Sequence, residues 1–263
     1  MKYNKNNKIL TMVLVLLVMC LSAVNLSFAA GQDADEEAAK EMAEIDARAG
    51  KALREGRPVL LYFYSDVIED SRDAIPALKK ASDKASAELI EIEAMKAVVL
   101  RQSYAVNYAP TVFLIRPEAG LTDTWIVDIP VNEIALSLKT AGTPNAPEKQ
   151  IGEAIKKEKP YLVFFTSQWC GYCNALTPEI IRFQKDYSDC VETVTVDADR
   201  IQRMQMPYLA NGLPTVLLAG SNGLLFLRTG YPHGYDRYVE VFEAMGVEMK
   251  TCKAGEKESG KKS

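Results

Sequence analysis

Hydrophobic and polar positions follow the same order twice along this chain. In each half, a polar stretch of helical character precedes an apolar run that is too short for a buried helix and rich in β-forming residues, which predicts a central strand. The two runs, residues 57–65 and 159–167, align without gaps at an offset of 102 residues. Residues 107–112 then align with residues 211–216 after two residues of slippage. Two matches in one order predict a duplicated domain.

The same elements are predicted in both halves. The helices that precede the central strands are predicted over about residues 35–55 and about residues 147–158. After each central strand comes a helix that carries Pro76 or Pro178 within it, where a kink is expected. A second strand follows at about residues 98–101 or about residues 193–197, and then a third strand, a turn, a fourth strand and a closing helix. Alternating strands and helices predict an α/β sheet domain in each half.

The beginning of the chain has the pattern of an export signal. Three lysines within the first eight residues precede an uncharged run over residues 9–24, and Ser27 and Ala29 are small residues suited to a cleavage site after Ala29. This pattern is typical of a secretory signal peptide over residues 1–29, so we expect an exported, periplasmic protein. The alternative is a protein anchored in the membrane by an uncleaved signal, although sixteen residues fall short of the ~20 needed to span a bilayer.

Composition and charge narrow the function classes. The chain is 48% hydrophobic and 25% charged, which excludes a disordered chain and one embedded in a membrane throughout. Removal of residues 1–29 leaves 28 basic and 35 acidic residues, and the excess of acids lies entirely in residues 30–147. An acidic mature chain is a poor candidate for nucleic-acid binding, which needs clustered Lys and Arg, so no nucleic-acid partner is expected.

The second half carries a cysteine motif at the point where a strand meets a helix. The central strand runs directly into Trp169-Cys170-Gly171-Tyr172-Cys173, and the next helix begins there. Two cysteines three positions apart can close a small disulfide, and the free N–H groups and positive dipole end of the helix favour the thiolate of the first one. Redox chemistry is therefore the leading interpretation of this pair.

Metal and haem sites are weaker interpretations of the same pair. A zinc site needs a second pair of Cys or His ligands, and the chain has a single histidine, His233. Attachment of a c-type haem needs a histidine after the second cysteine, where Asn174 stands. No metal and no cofactor is therefore expected, and a disulfide with a purely structural role stays open as an alternative.

These residues resemble those of the thioredoxin family. The motif Trp169-Cys170-Gly171-Tyr172-Cys173 is followed by Pro178 within the helix and by Gly212-Leu213-Pro214-Thr215. Its proline stands 44 residues after the first cysteine, where the family has a cis proline facing the active site. The resemblance covers roughly residues 148–250, and a weaker version covers roughly residues 33–138. It implies two tandem thioredoxin-like domains, each a central mixed β-sheet flanked by helices, after the signal peptide.

The domain organisation follows from the repeat and this resemblance. A short linker with no apolar period separates the two halves, and a tail rich in Lys, Glu, Gly and Ser ends the chain. The predicted segments are a signal peptide over residues 1–29, a redox-silent domain over 30–139, a linker over 140–147, an active thioredoxin domain over 148–250 and a flexible tail over 251–263.

The resemblance also implies roles for individual residues. Cys170 is the expected nucleophile, which attacks a substrate disulfide, and Cys173 is the more buried partner that resolves the mixed disulfide. The residues expected to contact substrate are Trp169, Gly171, Tyr172, Leu213 and Pro214. In this fold Cys190 and Cys252 lie at the pole opposite the active site, so a structural disulfide between them is our hypothesis.

Two departures from the family bear on the mechanism. Phe164 stands where typical thioredoxins have a buried aspartate that serves the second cysteine, so the proton-relay group is not identified. Gly171 and Tyr172 resemble the pair found in periplasmic disulfide isomerases and in several exported thioredoxin-like reductases. We therefore expect a thioredoxin-like protein disulfide reductase or isomerase. A disulfide-forming oxidase and a non-enzymatic binding or assembly module are the alternatives.

The first half lacks the cysteines, because Ile68-Glu69-Asp70-Ser71 stands at the aligned positions. It keeps Pro110 before Thr111, so it is either a substrate-binding or dimerising domain or a scaffold that has drifted since the duplication. The expected partners are client proteins with disulfides and, if the protein works reductively, a membrane-bound thiol electron donor. The sequence leaves open which clients are used, in which redox direction the protein works and whether it forms a homodimer.

Overall fold

The structure is a computed structural model, and it describes residues 40–252. The predicted signal peptide and most of the predicted tail lie outside these residues. Residues from Ile45 onward belong to one compact unit. No helix among the described residues is long and apolar enough to cross a membrane.

The first half is built around one four-stranded sheet. Its elements are α1 over residues 40–54, β1 (Val59–Tyr64), α2 (Ile75–Ala85), β2 (Glu88–Glu93), α3 (Val98–Ser103), β3 (Thr111–Arg116), β4 (Gly120–Ile126) and α4 (Val131–Lys139). The strand order is β2-β1-β3-β4. β2 is parallel to β1, whereas β3 and β4 are each antiparallel to the preceding neighbour in the sheet.

The second half repeats this arrangement. Its elements are α5 (Ala146–Lys156), β5 (Tyr161–Thr166), α6 (Gly171–Tyr187), β6 (Glu192–Asp197), β7 (Thr215–Ala219), β8 (Leu225–Thr229), α7 (Tyr235–Ala244) and α8 (Met249–Cys252). The strand order is β6-β5-β7-β8, with β6 parallel to β5 and the other pairs antiparallel. Two mixed sheets flanked by helices confirm the predicted fold class.

The two central strands are buried on both faces. Every residue from Val59 to Phe63 in β1 and from Tyr161 to Phe165 in β5 is at most 1% exposed. A continuous apolar run, rather than an alternating one, is what a strand needs when helices cover both sides of its sheet. β5 is therefore fixed in the core, and this fixes the position at which the chain leaves the C-terminal end of the strand after Thr166.

The predicted second strand of the first half, at about residues 98–101, was wrong. These residues begin helix α3, and β2 lies earlier, at Glu88–Glu93. In β2, the buried side chains of Ile90 and Ile92 flank the exposed side chain of Glu91, and this segment pairs with β1. The strand propensity of Val98 and Val99 is overridden because α3 packs against β8 of the second half and buries Leu100 there, while both valine side chains stay about half exposed.

The expected kink at Pro76 was also wrong. Residues Glu69–Arg72 form a separate 3-10 turn, and α2 begins only at Ile75, so Pro76 lies in its first turn. A proline is tolerated there because the first N–H groups of a helix have no partner within the helix. Pro178 lies inside α6, as predicted.

Helices α1 and α5 hold corresponding positions in the two halves, and each brings a glycine against a turn of the other half. Gly50 lies against Asn222, and Gly152 lies against the backbone of Glu118. A Cβ on Gly152 would overlap the carbonyl group of Glu118. A Cβ on Gly50 would instead meet the side chains of Arg54 and Asn222 at 3.1 Å. The approach at Gly152 is therefore the one that demands a residue without a side chain.

We expect Gly152→Ala to lower the free energy of unfolding by about 1–3 kcal/mol, because a backbone carbonyl cannot move aside as a side chain can. Gly50→Ala is the matched control, since it adds the same methyl group at the corresponding helix position and gains helix propensity. We expect it to change the free energy of unfolding by less than about 1 kcal/mol. Urea unfolding followed by circular dichroism measures both, and equal effects would contradict the prediction.

Candidate active site

Cys170 and Cys173 are joined by a disulfide at the N-terminus of α6, with their Cα atoms 5.2 Å apart. Cys170 is the N-cap residue, and its Sγ accepts a hydrogen bond from the backbone N–H of Cys173 at 3.1 Å. Cys170 is 5% exposed and Cys173 is fully buried. An attacking group from solvent therefore reaches Cys170 before Cys173, and the helix N-terminus is placed to stabilise negative charge on Cys170 Sγ.

The disulfide rests on an apolar floor. Phe164 in β5 is 1% exposed and belongs to the same buried cluster as the two cysteines. Leu213, which precedes the proline of the adjacent loop, packs against this cluster. Phe165 of β5 pairs with Thr215 of β7, so the loop with Leu213 lies at the end of the sheet from which the chain leads to Cys170, although about 40 positions separate the two segments.

The loop with Pro214 is tightly constrained. The Leu213–Pro214 peptide bond is cis, and Thr215 donates from Oγ1 to the carbonyl oxygen of Gly212 at 2.6 Å. Gly230, just after β8, approaches so closely that a Cβ there would lie 2.6 Å from the carbonyl oxygen of Pro214. A glycine is therefore required at this position for the loop and the end of β8 to meet.

Three aromatic side chains are exposed around the cysteines. Trp169 is 73% exposed, Tyr172 is 63% exposed and Tyr231 is 51% exposed. Tyr172 and Tyr231 are stacked, with ring centroids 4.9 Å apart. Sequence reasoning missed Tyr231, because its only local signal is its place directly after Gly230. The surface around the pair therefore offers apolar area to a partner instead of burying it in the core.

Asp199 is a second residue that sequence reasoning missed. Its carboxylate accepts hydrogen bonds from Ser167 Oγ at 2.6 Å and from Trp169 Nε1 at 3.0 Å. These two bonds, that of Ser167 first, hold the pKa of Asp199 below its ordinary value. Asp199 thereby fixes the orientation of an otherwise exposed indole ring beside the cysteines.

Cys190 and Cys252 form a second disulfide, with their Cα atoms 5.8 Å apart. Cys190 stands three residues after the end of α6, and Cys252 ends α8. The 17 residues of α6 span about 25 Å, so this disulfide lies at the opposite end of that helix from Cys170. It ties α8 to α6 and closes a 62-residue stretch of chain.

The corresponding place in the first half has no thiol and is filled by hydrogen bonds. Ser71, at the position aligned with Cys173, is fully buried. Its Oγ accepts from the backbone N–H of Ser65 at 2.7 Å, and its carbonyl oxygen accepts from the hydroxyl of Tyr62. The Ala109–Pro110 bond is cis, like that before Pro214. The first half thus keeps the loop of the active site and replaces its chemistry with a structural contact.

Comparison with known proteins identifies the family. A family model described as thioredoxin matches residues 145–229. Human protein disulfide-isomerase A6 is 37% identical over 70 residues, which are 27% of this chain and 16% of that protein. A thioredoxin-like protein of Synechocystis sp. is 31% identical over 78 residues, which are 30% of this chain and 72% of that protein. The chain belongs to the thioredoxin family.

A longer but weaker similarity includes both halves. A rice protein, protein disulfide isomerase-like 2-3, is 23% identical over an alignment of 233 positions that covers 76% of this chain and 52% of that protein. The chain spans only 16% of the length of the isomerase A6 proteins that it matches. The similarity to proteins named protein disulfide isomerases is therefore confined to part of their length.

Removal of the second disulfide is expected to weaken the fold and leave the chemistry intact. The double substitution Cys190→Ser/Cys252→Ser should lower the free energy of unfolding by about 2–5 kcal/mol, because the unfolded chain is no longer constrained. The reduction potential of the Cys170–Cys173 pair should stay at the wild-type value. Peptide mapping without reductant should find the two native residues linked, and a free thiol at either position in the purified protein would contradict this.

Protonation of Asp199 should release Trp169. Because hydrogen bonds lower the folded-state pKa below 3.8, their contribution is present above that pH and is lost as the pH falls through the lowered value. In a Trp125→Phe background Trp169 is the remaining tryptophan, and its fluorescence should change with a midpoint below pH 3.8. Asp199→Asn should abolish this transition. A midpoint at or above 3.8 would argue against the hydrogen bonds.

Proposed function

We propose that this protein is an exported thiol–disulfide oxidoreductase that reduces or isomerises disulfides in client proteins through Cys170 and Cys173. The observation that carries the proposal is the placement of this pair. A slightly exposed Cys170 caps a helix N-terminus, a fully buried Cys173 follows in the first turn, and a cis-proline loop lies at the same end of the sheet. A purely structural disulfide has no need of an accessible first cysteine at an anion-stabilising helix end.

Reduction of a client takes two thiol exchanges. In the dithiol form, the Cys170 thiolate attacks one sulfur of a client disulfide, forms a mixed disulfide and releases the other client sulfur as a thiolate, which takes up a proton. Cys173 then loses its proton and attacks Sγ of Cys170, which releases the second client thiol and closes the Cys170–Cys173 disulfide. The client gains two electrons and the protein loses two, so the form with both cysteines joined is the product state.

Isomerisation uses only the first half of this cycle. After Cys170 has formed the mixed disulfide, the freed client thiolate attacks a different disulfide of the same client. A client thiolate then displaces Cys170, which returns as a thiolate, so no electrons are exchanged overall. If the client in the mixed disulfide does not rearrange, Cys173 attacks Cys170 and releases the client.

The surroundings of the pair suit an extended client segment. Leu213 and Pro214 provide backbone groups at the same end of the sheet as the cysteines, and the exposed rings of Trp169, Tyr172 and Tyr231 provide apolar contact. Unfolded segments expose apolar side chains that folded proteins bury, so this surface favours misfolded or incompletely folded clients. The acidic excess of residues 30–147 adds a weak preference for basic clients.

A protein that reduces clients must be reduced in turn. After export, directed by residues 1–29, the electrons would come from a membrane-bound thiol donor that attacks the Cys170–Cys173 disulfide by the same exchange run in reverse. The pair would then be found mainly as dithiol in the cell. Isomerisation needs the same reduced state, so both activities share this requirement.

A trapping variant tests the proposal. In Cys173→Ser the mixed disulfide cannot be resolved, so Cys170 should accumulate covalent complexes with clients that disappear on reduction. Cys170→Ser is the matched control and should form none, because Cys173 is fully buried. Non-reducing electrophoresis followed by mass spectrometry measures the complexes and identifies the clients.

The outcomes separate the proposal from its rivals. Client complexes together with a mainly reduced wild-type pair in the cell support reduction or isomerisation. Complexes with a mainly oxidised pair coupled to a strong oxidant would overturn that direction in favour of a disulfide-forming oxidase. No complexes at all would mean that the disulfide is structural and that the chain is a binding or assembly module.

A further inference from the structure

The segment over residues 207–214, which we term the client loop, is held by side chains from both sheets. Three successive carbonyl oxygens at its start accept hydrogen bonds, those of Pro207, Tyr208 and Leu209. Thr124 in β4 of the first sheet donates from Oγ1 to the first of them at 2.8 Å. Arg228 in β8 of the second sheet donates to the other two. The loop is therefore tied to both halves before it reaches Pro214.

Tyr208 also connects the client loop to the first sheet. It is fully buried, and its hydroxyl oxygen accepts a hydrogen bond from the backbone N–H of Leu121 in β4 at 3.2 Å. Its ring lies 5.6 Å from that of Phe165 in β5. Phe165 pairs across the sheet with Thr215, the residue after Pro214. One side chain thus connects the first sheet to the strands on which both parts of the active site are built.

The conformation of the loop depends on these contacts. Leu209 has a φ of 49°, in the left-handed region that favours glycine, so its surroundings must hold it there. Arg228 holds Leu209 by donating a hydrogen bond to its carbonyl oxygen. The same oxygen accepts a hydrogen bond at 2.9 Å from the N–H of Asn211, which stands two residues before Leu213. Burial lowers the pKa of Arg228 to about 10, which leaves it charged at neutral pH.

Two side chains of the first half form hydrogen bonds with β8 of the second half. The hydroxyl of Tyr104 accepts from the backbone N–H of Leu225 in β8, also at 3.2 Å, and Ser103 donates from Oγ to the carbonyl oxygen of Phe226. Tyr104 is likewise almost fully buried, at 1% exposure. It precedes the cis proline Pro110 of the half that has no cysteines. Both pairs of contacts join the same two halves, but only one holds the client loop.

We propose that strand β4 of the redox-silent half positions the client loop for binding, with Thr124 and Tyr208 as positioning residues. They hold the start of the loop so that the backbone of Leu213 is presented beside Cys170. The proposal rests on the proposed function, since it explains how that site binds its substrate. It gives the first half a role in client binding without requiring that the first half touch the client.

The test compares two double variants of the full chain. Thr124→Val/Tyr208→Phe removes the two hydroxyl groups that tie β4 to the client loop. Ser103→Ala/Tyr104→Phe removes the two matching hydroxyls on the other side of the same contact between the halves. Each reduced protein is mixed with increasing concentrations of a synthetic peptide that contains one disulfide. Oxidation of the protein is followed by its tryptophan fluorescence in a single turnover.

We expect the first variant to need about threefold to tenfold more peptide for half-saturation. This is the loss of affinity expected when the net contribution of about one hydrogen bond no longer holds the loop in its binding conformation. Its limiting rate at saturating peptide and the reduction potential of its cysteine pair should equal those of the wild type, because neither residue contacts the cysteines. The second variant should match the wild type in all three measurements.

Other results overturn the inference in recognisable ways. Equal half-saturation in the two variants, whether raised or unchanged, would show that the ties to the client loop have no special role. A lower limiting rate constant without a change in half-saturation would show that the two hydroxyl groups act on the thiol exchange and not on client binding. If the peptide fails to oxidise even the wild type, the proposed function itself is wrong.

Discussion

The junction between β5 and α6 is the constraint on which the rest of this structure depends. A strand buried on both faces ends at Thr166, and the helix that begins five residues later, at Gly171, turns its free N–H groups toward Cys170. The strand cannot shift without exposing apolar side chains, and the far end of the helix is tied by the Cys190–Cys252 disulfide. The geometry of the cysteine pair is therefore imposed by the core beneath it.

The first half shows what happens to such a junction when the cysteines are absent. Ser71 takes the buried position and accepts hydrogen bonds from the backbone N–H of Ser65 and the hydroxyl of Tyr62, so these buried donors have partners. The helix then begins later, at Ile75, behind a separate turn. The strand order and the cis-proline turn persist, because they depend on the sheet and not on the reactive group.

The two halves pack reciprocally, as subunits do in a twofold-symmetric dimer. Gly50 and Gly152 each meet a turn of the other half, and Tyr104 and Tyr208 each accept a backbone hydrogen bond from it. Equivalent contacts have unequal consequences, because only one half has a redox pair. A half without chemistry of its own can thus act on the site through the loop that it holds.

The sequence by itself determined that two halves have the same order of strands, that their central strands are buried and where the cysteine pair lies, since each depends on a local pattern or a short motif. It misplaced β2, because strand propensity at Val98 could not reveal that this segment packs as helix α3 against β8 of the other half. It missed Asp199 and Tyr231, whose partners Trp169 and Tyr172 lie 30 and 59 positions away. Only the tertiary structure decided which distant groups meet around the cysteines, because those contacts arise from the packing of whole elements that no local pattern encodes.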